Sequence, residues 1–212
     1  MKPNQRFGLS VLLVVAIALP AIAYEYPLSS TSLRDAYMLG NRKDEHTAEF
    51  LALYTQFLPM PQTGPRVSVI SVETPYSQVV ELGESALNPD IQGTEEELAG
   101  KQFAFIVRVE VVLTDSYPGP APFNTATPGQ PIPNFERDFD IQLLQSKKIP
   151  AESTQVYLLY SDGVTNILQI SGAVIELQYD ADKIDPDDDA TVKVHTPDDQ
   201  DIEATFDLGH LR

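Results

Sequence analysis

The chain has neither cysteine nor tryptophan among its 212 residues. Without cysteine there is no disulfide, no thiol nucleophile and no thiolate metal ligand, so the stability of the fold must come from its hydrophobic core. Basic residues are also scarce, because 14 Lys and Arg stand against 31 Asp and Glu, for a formal net charge of −17. An acidic surface repels phosphates and anionic headgroups, so we expect no nucleic acid partner and no binding to membrane surfaces.

The N-terminus has the three features of a cleavable secretory signal peptide. Lys2 and Arg6 form a basic start, and residues 7–19 are apolar and uncharged. Ala21 and Ala23 then place small side chains at the two positions that signal peptidase reads. The apolar stretch is shorter than the roughly 20 residues that a membrane-spanning helix needs. The pattern therefore predicts a signal that is removed after export.

Cleavage after residue 23 would make Tyr24 the first residue of the mature protein. No later segment has a continuous apolar stretch long enough to cross a membrane as a helix, so we predict no membrane span once residues 1–23 are removed. The general secretory route would deliver the mature chain to the periplasm or to the outside of the cell.

Residues 24–63 are predicted to form a short N-terminal helical segment. The first helix is expected to stop at Gly40, read as the glycine that follows a helix C-terminus. A second helix is predicted over residues 44–58, because its apolar residues recur at helical spacing and Pro59 then ends it. These apolar residues are Phe50, Leu51, Leu53, Tyr54, Phe57 and Leu58.

Residues 64–212 change to the alternating pattern of β-strands. The clearest strand is predicted over residues 102–114, with one wholly apolar face and one mixed face, as expected for a strand inside a sheet. Residues 79–82 are also interpreted as a short strand, whereas the six prolines between residues 115 and 134 predict a loop. The other strands are predicted near residues 66–70, 139–143, 155–160, 164–170, 173–179, 191–195 and 202–206. About eight short strands in this order predict an antiparallel β-sandwich over residues 64–212.

The spacing of these strands resembles that of the immunoglobulin-like sandwiches of bacterial exported proteins. The segments 35–40 and 206–212 are similar to segments of uncharacterised exported bacterial proteins. The resemblance implies a mainly β fold, an immunoglobulin-like sandwich preceded by a short helical segment. It implies no particular activity.

No motif in the chain identifies a catalytic or cofactor-binding residue. A serine hydrolase elbow is absent, and His46, His195 and His210 lack the spacing of a zinc site. Paired carboxylates hydrolyse glycosides, but 31 acidic residues offer no motif that selects one pair. We therefore predict no catalytic residue.

One acidic segment has the beginning of a calcium-binding pattern. Asp185, Asp187 and Asp189 alternate like the first ligands of an EF-hand loop, but Ala190 replaces its glycine and Thr196 its bidentate glutamate. The favoured interpretation is a solvated acidic turn. The alternative is a calcium site formed by the three aspartates.

The sequence leads to one functional hypothesis and two alternatives. The first is an exported, non-catalytic β-sandwich with a binding or structural role in the cell envelope or outside the cell, for a protein or glycan partner. The second is a carboxylate-dependent hydrolase acting on carbohydrate. The third is an adhesion module stabilised by calcium.

The cleavage site gives the first testable prediction. The mature protein should begin at Tyr24, and Ala23→Arg should block processing, because the peptidase accepts only small side chains at that position. N-terminal sequencing of the exported protein measures this. An exported chain that still begins with Met1 would contradict the prediction.

Overall fold

The computed structural model describes residues 24–61, 64–86, 97–98, 101–114, 135–162 and 168–212. Within them the chain is mainly β, with two antiparallel sheets and a few helices. The helices are α1 (Ser30–Asn41), α2 (Glu45–Ala52), α3 (Pro75–Ser85) and α4 (Phe135–Asp138). The strands are β1 (Thr55–Phe57), β2 (Arg66–Glu73), β3 (Phe105–Val112), β4 (Asp140–Leu144), β5 (Lys148–Ile149), β6 (Ser153–Asp162), β7 (Leu168–Tyr179), β8 (Ala190–His195) and β9 (Asp201–Phe206). None of the described helices is long and apolar enough to cross a membrane.

The two sheets share one hydrophobic core, as the layers of a β-sandwich do. The first sheet has the strand order β1-β2-β3-β7-β6, and the second has the order β5-β4-β8-β9. Strand β3 lies between β2 and β7, so the predicted central strand is confirmed. Its inward side chains are fully buried. They are Phe105, Val107, Val109 and Val111.

Other sequence predictions for the strands are confirmed in part. The described part of the predicted strand 164–170, residues 168–170, and the predicted strand 173–179 belong to one strand, β7, which pairs with β6 on one side and β3 on the other. The turn between β8 and β9 places Asp199 at a φ of 60°, a left-handed conformation that glycine adopts more easily. The proline-rich loop predicted over residues 115–134 lies outside the described residues.

The second predicted helix is wrong in its C-terminal half. Helix α2 ends at Ala52, and Phe57 belongs to β1, where it is 82% exposed. Tyr54 is buried in the turn between α2 and β1, and its hydroxyl donates a hydrogen bond to the Arg212 carbonyl oxygen at 2.9 Å. Burial raises the pKa of Tyr54 to about 12. The helix therefore stops because Tyr54 has partners near the end of the chain, which a local pattern does not reveal.

The residues interpreted as a strand at 79–82 belong to helix α3. The side chain of Thr74 caps this helix by accepting a hydrogen bond from the Ser77 N–H at 3.1 Å, and Pro75 occupies the first turn. Val79 and Val80 are fully buried against α1 and its neighbours in a second hydrophobic cluster. The apolar pair that suggested a strand is the buried side of a helix.

Helices α1 and α3 cross at two glycines. Gly40 was predicted to follow the C-terminus of the first helix, but it lies inside α1. A methyl group at this position would overlap the carbonyl oxygen of Val80. A methyl group on Gly83 would likewise overlap the carbonyl oxygen of Tyr37. The two backbones therefore approach more closely than any larger residue allows.

Because the two helices cross so closely, replacing a crossing glycine with alanine is expected to lower the stability of the protein. In an exposed helix, replacing glycine with alanine stabilises by about 1 kcal/mol, but Gly83→Ala should destabilise the protein by about 2 kcal/mol because the helices must separate. The control Ser85→Ala, at an exposed position of the same helix, should change stability by less than about 0.5 kcal/mol. Chemical denaturation measures both changes, and a stabilising Gly83→Ala would contradict the close crossing.

Candidate functional site

A cavity of about 520 Å³ lies between helix α3 and the first sheet. Gln78 fixes the helix over the sheet, because its side-chain amide donates a hydrogen bond to the Ala104 carbonyl oxygen at 2.6 Å. The next turns of α3 place Glu81, Leu82 and Ser85 along the cavity. The lining residues are Leu51, Glu73, Gln78, Glu81, Leu82, Glu84, Ser85, Lys101, Phe103, Ile106 and Arg108.

The floor of the cavity is the outer face of the first sheet. Successive side chains of a strand point to opposite faces, so β3 directs Val107 into the core and Ile106 and Arg108 toward the cavity. Glu73, the last residue of β2, is opposite Ile106 in the register of the two strands. The floor is therefore part apolar and part charged.

Three charged side chains on neighbouring strands form an ion-pair cluster at this floor. Arg108 on β3 is in register with Glu176 on β7, and its Nε donates to the Glu176 Oε2 at 2.8 Å. The Arg108 Nη1 also pairs with Glu73 Oε1 on β2. The side chains of both glutamates are only 7% exposed. We call Glu73, Arg108 and Glu176 the charged triad.

A further hydrogen bond holds the triad in place from β7. The side-chain amide of Gln178 donates to the Glu176 Oε1 at 3.1 Å, so both oxygens of Glu176 have partners. Among the described residues, Arg108 is the one charged partner of Glu73. Two carboxylates share one guanidinium, so the ionised triad carries one excess negative charge.

The rim of the cavity contains a partly buried carboxylate, that of Glu81. Glu81 makes no ion pair or hydrogen bond through its side chain with another described residue, and burial together with the charge of Glu84 raises the pKa of Glu81. The ammonium of Lys101 lies 5.3 Å from the centre of the Phe103 ring, a cation–π distance. The rim thus combines acidic groups with an aromatic face.

This arrangement is suited to binding more than to covalent chemistry. Hydrolysis by paired carboxylates needs one carboxylic acid and one free carboxylate on either side of the substrate. Glu73 and Glu176 are instead both held by Arg108, so neither of them is a free carboxylate. Sequence reasoning missed the triad. The available signal was that Arg108 and Glu176 are charged residues inside two mainly apolar strands.

The structure places the three predicted calcium ligands in the loop between β7 and β8. The Gln145 side-chain amide donates to the carbonyl oxygens of Asp185 and Asp188 at 2.8 and 3.0 Å. The Asp185 Oδ1 accepts from the Asp187 N–H at 3.0 Å within the turn. In the part of the chain that the structure describes, no three acidic or histidine side chains form a group that could hold a metal ion. The assignment of calcium to Asp185, Asp187 and Asp189 stays a prediction.

The three histidines are on the surface, each beside a carboxylate. The Nδ1 of His195 lies 2.9 Å from Asp201, and that contact raises the pKa of His195. His210 lies beside Asp207 and His46 beside Glu49. The structure brings none of them into the cavity.

Comparison of the chain with protein-family models, with curated proteins and with solved structures finds no match.

The triad gives a prediction for stability. Arg108→Met should cost about 3–5 kcal/mol near neutral pH, because two buried carboxylates lose their counterion. The control Arg42→Met, which breaks an exposed pair with Asp44, should cost less than about 1 kcal/mol. Denaturation curves of both variants at neutral pH measure this, and equal costs would contradict a buried triad.

Proposed function

We propose that the mature protein is an exported, non-catalytic binding protein that takes a small ligand in the cavity under helix α3. The observation that carries the proposal is the cavity itself, about 520 Å³ with apolar side chains beside fixed charges. Ligand sites are commonly concave, about 300–1,000 Å³ in volume, and mostly apolar with a few placed polar groups. The cavity of this chain agrees with that description in size, and it places apolar side chains beside polar groups that are held in position.

The rigidity of the floor supports binding. Strands β2, β3 and β7 are neighbours in one sheet, and the triad connects their side chains across the outer face. A charged group that is already paired needs little reorganisation when a ligand arrives, which lowers the cost of association. The cavity is therefore preorganised on its sheet side.

Export and an immunoglobulin-like topology belong to the same proposal. The signal-peptide pattern of residues 1–23 supports export to the periplasm or beyond. Two antiparallel sheets around a shared core support the sandwich class.

A carboxylate-dependent hydrolase is the second candidate, and one observation favours it. The raised pKa of Glu81 is a property of general acids in glycoside hydrolysis. Its partner would have to be Glu84, which is exposed on the same helix, or Glu73, which Arg108 already holds. Binding is the better supported function because neither carboxylate is placed as a free base.

The absence of tryptophan provides a direct test. Leu82→Trp introduces a single tryptophan at the cavity, at a position that is already 38% exposed. Its fluorescence, excited selectively over tyrosine, should change saturably on titration with a panel of small aromatic amines, alcohols and acids. Backbone NMR shifts of the wild-type protein, expected at Ile106 and Arg108, are measured in parallel.

The matched control is Met38→Trp, which places a tryptophan on the exposed side of α1 away from the cavity lining. It should not respond to the same panel. The proposal fails if no compound changes the fluorescence of Leu82→Trp or the wild-type NMR spectrum. An equal response of the Met38→Trp control would also overturn it.

A further inference from the structure

The charges around the cavity are unbalanced. Its lining includes three carboxylates, Glu73, Glu81 and Glu84, against the two cations Arg108 and Lys101. The guanidinium of Arg108 is not free to meet a ligand anion, because it already pairs with Glu73 and with the buried Glu176. The sheet side of the cavity therefore has a net negative charge.

The remaining cation does not correct this imbalance. Lys101 is exposed at the rim, and its ammonium lies over the face of Phe103, with no ion pair to Glu81 or Glu84 among the described residues. Within the part of the chain that the structure describes, Glu81 thus has a neighbour of like charge and no neighbour of opposite charge. A carboxylate in a partly buried position without a counterion is unfavourable, and a bound cation would relieve it.

The lining also includes four apolar side chains. Ile106 on β3 is 8% exposed and Phe103 is 6% exposed. Leu82 on α3 and Leu51 on α2 extend this apolar surface. A ligand that fills the cavity must therefore present an apolar body together with its polar end.

We infer that the cavity takes an organic cation, with an ammonium or guanidinium group on an apolar body, and this inference rests on the binding function proposed above. The cationic end lies against Glu81 and the Glu73 side of the triad. The apolar body packs on Ile106 and Phe103. An anionic ligand is disfavoured because the one guanidinium at the floor is already neutralised.

Three probes with the same apolar body separate charge from hydrophobicity. They are 4-phenylbutylamine, 4-phenylbutanol and 4-phenylbutyrate, titrated into the wild-type protein at constant ionic strength and followed by NMR shifts at Ile106 and Arg108. The amine should bind about tenfold more tightly than the alcohol, which corresponds to about 1.4 kcal/mol. The carboxylate should bind most weakly.

Two charge-neutralising variants, one at the cavity and one as a control, test which carboxylate binds the cation. Glu81→Gln should reduce the affinity for the amine severalfold and leave the affinity for the alcohol unchanged. Glu203→Gln removes one negative charge from an exposed position on β9 in the other sheet, and it should change neither affinity. This control accounts for the net charge of the protein.

The outcomes distinguish this inference from the function on which it rests. Equal affinities for the amine and the alcohol, or tighter binding of the carboxylate, would overturn the cation inference and leave the binding function standing. A Glu81→Gln variant that weakens the amine and the alcohol equally would also overturn it, because Glu81 would then act through the structure and not through its charge. Failure of all three probes to shift Ile106 and Arg108 would overturn both.

Discussion

The burial of two carboxylates beside a single guanidinium is the interaction on which the rest of this structure depends. Glu73 and Glu176 lie on strands that flank β3, and the side chain of Arg108 reaches both. Removing a carboxylate from water is tolerated only when an opposite charge or hydrogen bonds compensate it. The triad therefore requires that β2, β3 and β7 keep one register. The outer face of the sheet can then be charged and still be covered by a helix.

The covering helix turns this charged face into a cavity. Gly40 and Gly83 let α1 and α3 cross at close range, and Gln78 ties α3 to the backbone just before β3. The apolar side chains of these two helices pack against each other in a separate hydrophobic cluster. The space above the triad is therefore left as a cavity. What remains is a space with an acidic rim at Glu81 and an apolar wall, and the proposed affinity for organic cations follows from that combination.

The sequence predicted those parts of the fold that depend on local pattern. Strand β3 could be predicted because its sequence alternates between an apolar face and a mixed face. The strand has the same alternation of buried and less buried residues in the sheet. The helix predicted over residues 44–58 was wrong beyond Ala52, because Tyr54 bonds to Arg212, 158 positions away, and Phe57 enters an edge strand. The triad could not be predicted for the same reason. Arg108 and Glu176 become partners through the pairing of β3 with β7, a register that no local spacing specifies.

The titration of Glu81 is the most direct measurement of the central claim, which is that an acidic cavity over the triad binds a cation. Burial and Glu84 raise the pKa of Glu81 in the free protein. An ammonium group bound beside it favours the ionised carboxylate, so saturation with 4-phenylbutylamine should lower this pKa. Carbon-detected NMR of the side-chain carboxyl, with and without the amine, measures both values. A pKa that stays unchanged or rises on saturation would contradict the account.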